Sequence, residues 1–78
     1  MRRYGNPNML PGESDAAYCR RMGWQAGTRI VGDEGYGPTT ITITAVGRDR
    51  ILAVADGRSY ENAWTLTCRD WQEADVAG

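Results

Sequence analysis

Two adjacent carboxylates and a tyrosine lie in a glycine-rich run and could together bind a partner. Asp33 and Glu34 precede Tyr36 within Gly-Asp-Glu-Gly-Tyr-Gly-Pro. Three glycines there can take positive φ angles without a steric penalty: Gly32, Gly35 and Gly37. Because Pro38 restricts its own φ and the preceding residue, we expect a stiff loop that presents acidic and aromatic groups for recognition. In the alternative, the acids accept backbone hydrogen bonds and Tyr36 packs on the sheet.

Catalytic chemistry has little support in the sequence. The chain has no histidine and no lysine, so neither its serines nor its cysteines have the usual general base. The glycine-rich run lies between two predicted strands rather than before a helix, which disfavours a phosphate-binding loop. No Cys-x-x-Cys pair is present. We therefore expect no enzyme activity, no cofactor and no metal.

Length and charge set the class of protein. Seventy-eight residues predict one domain over residues 11–78, preceded by a flexible arm over residues 1–10. Nine arginines against ten acids give a net charge of −1, which argues against direct binding of nucleic acid. The sequence has no apolar stretch for a membrane span or signal peptide, so we expect a protein of the cytoplasm. We also expect it to be a monomer.

A row of threonines forms a second candidate binding surface. Residues 39–46 alternate in polarity, as a strand with one buried face does. The residues expected to face the core are Ile41, Ile43 and Ala45, and those expected to face water or a partner are Thr40, Thr42 and Thr44. An exposed threonine row is also an ordinary strand surface, so both readings stay open here.

The remaining elements are short. Ser14 as N-cap and Gly23 as a stop predict a helix over residues 14–22, with Tyr18, Cys19 and Met22 on its apolar face. Strands are predicted at 28–31, 39–46, 51–55 and 60–67, and pairing by residues 72–76 is left open. The predicted core includes Ile43, Leu52, Val54, Trp64 and Leu66, with Trp24 half-buried and Trp71 folded back onto the sheet.

These elements predict a mainly β fold with one short N-terminal helix. Four to five short strands and tight turns such as Asp56-Gly57 suit a strongly bent antiparallel sheet or small open barrel, Src-homology-3-like in outline. Cys19 and Cys68 are expected to be reduced core residues, with a disulfide between helix and sheet as the alternative. Fold alone assigns no function.

The motifs Gly-Asp-Glu-Gly-Tyr-Gly-Pro and Cys-Arg-Asp-Trp resemble those of a family of small proteins encoded by tailed bacteriophages. The resemblance covers residues 23–71 and includes the strands between the two motifs. Between the third and fourth strands, where relatives carry a longer basic insertion, this chain has only the turn at residues 56–59.

The resemblance implies a protein that acts in the cytoplasm of a bacterial host. Small phage proteins without catalytic groups often bind a host enzyme or defence complex, as anti-CRISPR proteins do. We therefore expect a non-catalytic inhibitor, most simply an anti-CRISPR that blocks DNA binding by a multi-subunit surveillance complex. Carboxylates at Asp33 and Glu34 would pair with the basic residues that such a complex exposes to DNA. The alternative is an accessory module for phage replication or assembly that binds proteins without touching host immunity.

Overall fold

The protein folds as one short helix and a five-stranded antiparallel sheet. The computed structural model describes residues 6–33, 37–67 and 69–74. The elements are α1 (Asp15–Met22), β1 (Arg29–Asp33), β2 (Pro38–Val46), β3 (Ile51–Ala55), β4 (Asn62–Trp64) and β5 (Asp70–Glu73). The strand order is β4-β3-β2-β1-β5, with every neighbouring pair antiparallel. The mainly β fold with one helix is confirmed, and the open sheet is compatible with the Src-homology-3-like outline.

The sheet is strongly bent. In a flat five-stranded sheet the edge strands would lie about 19 Å apart, since neighbouring strands are about 4.8 Å apart. Trp64 of one edge strand and Trp71 of the other nevertheless form an edge-to-face pair, with ring centroids 6.3 Å apart. The two edges are therefore curled towards each other, and the concave side of the sheet holds the core.

Helix α1 begins and ends where its capping residues predict. The Ser14 hydroxyl accepts a hydrogen bond from the Ala17 N–H at 3.1 Å. At the other end Gly23 takes a φ of 80°, and the Trp24 N–H donates to the Cys19 carbonyl at 2.8 Å. A left-handed glycine with this hydrogen bond is the Schellman arrangement, which turns the chain back over the last turn.

The helix closes one end of the bent sheet, next to the loop between β2 and β3. The Ala16 N–H donates to the Asp49 carbonyl at 3.2 Å. The Arg20 guanidinium donates to the Gly47 and Arg48 carbonyls at 2.7 and 3.0 Å. These contacts fix the helix at the end of the sheet where β2 finishes and β3 starts.

The core lies between α1 and the concave side of the sheet. Its buried residues are Ala16, Tyr18, Cys19, Trp24, Ile30, Ile41, Ile43, Ile51, Ala53, Leu66 and Trp71. Trp24 is only 3 % exposed, so the expectation that it is half-buried was wrong. Its ring packs edge-to-face on Tyr18, with centroids 5.3 Å apart, because the Schellman turn directs it back onto the helix. Met22, predicted on the apolar face, is 38 % exposed.

A β-bulge in β2 changes which residues of the hairpin face the core. Ile43 pairs with Ala53, but the next pair is Ala45 with Leu52, so Thr44 and Ala45 together oppose Leu52. The bulge shifts the alternation by one residue and turns Val46, rather than Ala45, towards the core.

The predicted core of β3 was also wrong. Ile51 and Ala53 are buried, whereas Leu52 and Val54 are only half-buried on the opposite side of the sheet. Strand β3 nevertheless has the predicted bounds, 51–55. The error lies in the face assigned to each residue, because neighbouring residues in β3 are apolar and give no alternation of polarity from which to choose a face.

Gly32 serves the packing of Trp71 rather than a turn. It lies within β1, is the register partner of Trp71 and, unlike Gly37 with a φ of 116°, is not among the glycines of positive φ. A Cβ on Gly32 would lie 2.7 Å from Cδ2 of the Trp71 indole. Gly32 therefore does not use the positive φ that a glycine permits, and Gly35 lies outside the described residues.

The last third of the chain differs most from the sequence prediction. The predicted strand 60–67 is reduced to Asn62–Trp64, and Tyr60 is 55 % exposed. Trp64 is half-buried, although Leu66 is fully buried as predicted. The final strand is Asp70–Glu73, which starts earlier than residues 72–76 and pairs with β1.

The predicted N-terminal arm is attached to the domain from Asn6 onwards. Its N–H donates to the Thr67 carbonyl at 2.8 Å, and its side-chain amide donates to the Leu66 carbonyl at 3.0 Å. Residues 1–5 lie outside the described residues.

Candidate functional site

The predicted acidic loop begins at a corner where two aspartates meet. Asp33, at the end of β1, is the register partner of Asp70 at the start of β5, and both are exposed. The Asn8 side-chain amide donates to the Asp70 carboxylate at 2.9 Å. We call Asp33 and Asp70 the acidic corner. Glu34 and Tyr36, the other predicted loop residues, lie outside the described residues.

The threonine row is only partly available to a partner. Thr40 and Thr42 are half-buried on the convex side of β2, opposite the buried isoleucines. Arg29 on β1 and Asp56 after β3 form a 2.7 Å ion pair, which spans β2 on this side. Thr44 lies in the bulge, where its hydroxyl donates to the Glu61 carboxylate.

The convex side of the sheet also has aliphatic side chains. Val31 is the register partner of Thr40, and Val54 is the register partner of Thr42. The outer face, as we call this surface, consists of Val31, Thr40, Thr42, Leu52 and Val54, all half-buried. It adjoins the acidic corner because Asp33 follows Val31 on the same side of β1. The structure thus brings Asp33, Thr40 and Thr42 onto one continuous surface.

A groove at the open end of the sheet was missed by the sequence analysis. It has a volume of about 420 Å³ and lies opposite the end that α1 closes. We call it the mouth groove. Its walls include Thr39, Arg58, Tyr60, Asn62, Trp64 and Arg69. The period-two run from Tyr60 to Trp64 was visible in the sequence, but it was read as part of a longer core strand.

Long-range packing, which the sequence does not reveal, brings Arg69 to this groove. The Arg69 guanidinium lies 5.6 Å from the centroid of the Trp71 ring, and Trp71 is held in turn by Trp64. Such cation–π contact restrains a long side chain. Arg69 thus reaches the groove from the segment between β4 and β5.

The perturbed ionisable groups belong to the helix region and have structural explanations. Burial raises the pKa of the Cys19 thiol from 9.0 to about 11 and also raises the pKa of the Tyr18 hydroxyl. Hydrogen bonds from the Arg21 guanidinium and then from the Leu10 N–H lower the pKa of Glu13 from 4.5 to about 2. A buried, protonated thiol is a poor nucleophile. The Glu13–Arg21 pair at 2.8 Å joins the segment before α1 to the last turn of the helix.

Two further properties concern the described part of the chain. Within it, no three His, Cys, Asp or Glu side chains are grouped closely enough to hold a metal ion. None of its helices has the length and apolar character needed to cross a bilayer.

Comparison with known proteins gives one result. No match is found among curated proteins or among solved structures. The domain of unknown function DUF7241 matches residues 13–76, which include α1 and all five strands. The chain therefore belongs to the DUF7241 family.

Proposed function

We propose that this chain is a phage-encoded, non-catalytic inhibitor that binds a host defence complex, in its most specific form an anti-CRISPR that blocks DNA binding by a surveillance complex. The observation that carries the proposal is the continuity of the acidic corner with the outer face. Aspartates beside a row of threonine, valine and leucine side chains suit a partner with basic residues around an apolar patch.

Charge gives the reason for choosing a DNA-binding partner. A protein that binds DNA must expose arginines and lysines to the phosphate backbone, so an inhibitor that presents carboxylates can occupy those residues. Asp33 and Asp70 are directly opposite each other on neighbouring strands. Two carboxylates placed side by side on neighbouring strands suit one basic side chain of a partner.

Two further residues are predicted from the sequence to take part in binding. Glu34 and Tyr36 follow Asp33 directly in the chain, and their role in binding stays a prediction from the sequence. An aromatic side chain beside the carboxylates would supply the kind of anchor that interfaces use most often.

A plaque assay on a CRISPR-immune host tests the proposal. Expression of the wild-type chain should restore plaques of a targeted phage. The Asp33→Arg/Asp70→Arg variant should not, because it reverses the charge of the acidic corner. Asp49→Arg is a charge-reversal control, since Asp49 is exposed in the loop between β2 and β3, at the other end of the sheet. It should restore plaques as the wild type does.

Failure of the wild type to restore plaques of any targeted phage would refute the anti-CRISPR form of the proposal. Equal rescue by all three proteins would remove the acidic corner from the mechanism. If instead the chain binds a replication or assembly protein of its phage through the same corner, the accessory-module alternative holds.

A further inference from the structure

We propose that the mouth groove binds a nucleoside phosphate, with the phosphate against Arg58 and Arg69 and the base stacked on Tyr60. The groove shares no lining residue with the acidic corner or the outer face, and the inference does not depend on the proposed inhibitor function. Its volume of about 420 Å³ is within the usual range for small-ligand sites, which often occupy the mouths of barrels.

The groove is lined by two arginines and one aspartate, although the chain as a whole has a net charge of −1. Its charged lining residues are Arg58, Arg69 and Asp56. The Asp56 carboxylate is paired with Arg29 at 2.7 Å, so its negative charge is largely offset. Arg58 and Arg69 both line the groove, and the planar N–H donors of a guanidinium match the oxygens of a phosphate.

The groove also offers a flat aromatic surface and polar edges. Tyr60 is 55 % exposed, which is unusual for so large a ring, and it lines the groove. An exposed ring is a stacking surface for a base. The Asn62 amide can both donate and accept hydrogen bonds, as base edges require, and Thr39 adds a hydroxyl.

These groups favour a nucleoside phosphate over an acidic peptide. A peptide carboxylate would use the arginines, but an acidic peptide has no flat ring to stack on Tyr60. The net charge of the chain disfavours nucleic-acid binding by the surface as a whole, but it does not exclude a nucleotide in one local groove. The same chemistry could come from a free nucleotide or from one nucleotide of a single strand.

The test is a calorimetric titration of the full chain with adenosine monophosphate, inorganic phosphate, adenosine, a short oligodeoxyadenylate and a glutamate-rich peptide. Adenosine monophosphate should bind better than phosphate or adenosine alone. Arg58→Ala and Tyr60→Ala should each weaken it about tenfold, as expected from loss of one phosphate contact or one stacking surface. Arg69 is left intact because it packs on the buried Trp71.

Arg48→Ala is the matched control, because it removes an exposed arginine from the loop that α1 covers and should leave affinity unchanged. Thermal melts of each variant establish that it is folded. Tighter binding of the oligonucleotide than of the mononucleotide would identify a single strand as the source, and equal or weaker binding a free nucleotide. No heat with adenosine monophosphate, equal losses in Arg48→Ala and Arg58→Ala, or preference for the peptide would overturn the proposal.

Discussion

Replacing Gly32 with alanine should destabilise the domain through one contact, that between β1 and the Trp71 indole. The added Cβ would lie 2.7, 2.8 and 2.9 Å from the indole atoms Cδ2, Cε3 and Cε2, where ordinary contact begins at 3.4 Å. The ring cannot move away freely, because Trp64 packs on it and the backbone of Trp71 pairs with Gly32.

The expected cost follows from this crowding. Overpacking of a core typically costs about 1–3 kcal/mol, and a loss of about 2 kcal/mol in a domain of this size lowers Tm by about 8–16 °C. Whether Gly32→Ala lowers or raises the free energy of unfolding distinguishes crowding from a backbone effect. Because Gly32 is not in the left-handed region, a site with room for a methyl group would gain about 0.4–1 kcal/mol from alanine.

Thermal and denaturant unfolding of Gly32→Ala, Trp71→Leu and the double variant measure the effect. Leucine removes the ring that the new methyl would meet, so Gly32→Ala should cost less in the Trp71→Leu background than in the wild type, by about 1 kcal/mol or more. A neutral or stabilising Gly32→Ala substitution would refute the packing argument, as would an equal cost in both backgrounds.

Three further predictions concern the core and the helix. Ile51→Ala should cost about 2–5 kcal/mol, whereas Leu52→Ala on the outer face should cost clearly less; equal melts would contradict the faces that the pairing of β3 with β2 assigns. Because the pKa of Cys19 is raised on folding, its contribution to stability is complete below pH 9 and is lost as pH rises to about 11. Cys19→Ala should therefore flatten the fall in melting temperature over this alkaline range, and an unchanged slope would contradict the prediction. The pKa of Glu13 is lowered on folding, so its contribution to stability is complete above pH 4.5 and is lost as pH falls to about 2. The melting temperature of Glu13→Gln should therefore decline less over that range than that of the wild type. A parallel decline would show that the pair with Arg21 does not matter.

The parts of the fold set by local interactions could be predicted from the sequence. The Ser14 and Gly23 caps gave the helix to within one residue, because a capping hydroxyl and a left-handed glycine act on their nearest neighbours. The alternation of threonine and isoleucine gave the position of β2 and the burial of Ile41 and Ile43.

Features that depend on contacts distant in the chain could not be predicted. The faces of β3 are set by its pairing with β2, in which Ile43 opposes Ala53 and Thr42 opposes Val54, and they are the reverse of those expected for Leu52 and Val54. The bulge at Thr44 depends on the same pairing. The burial of Trp71 depends on β5 pairing with β1, a contact between residues about 40 positions apart, which a local pattern does not encode.

The candidate site was predicted in part for the same reason. Asp33 was identified from its loop, and the structure adds Asp70 beside it only because β5 returns to β1. The Thr row was found by alternation, but the Arg29–Asp56 pair over it joins residues from different strands. The mouth groove combines side chains from three segments of the chain, none of which suggests a ligand by itself.

The central claim is that the acidic corner occupies the DNA-contacting basic residues of a defence complex. It is tested most directly by measuring target-DNA binding by a purified CRISPR surveillance complex in the presence of each protein. The account predicts that the wild type and Asp49→Arg abolish DNA binding and that Asp33→Arg/Asp70→Arg leaves it intact, although all three have similar melting temperatures. Undiminished DNA binding with the wild-type protein present in excess would contradict the account.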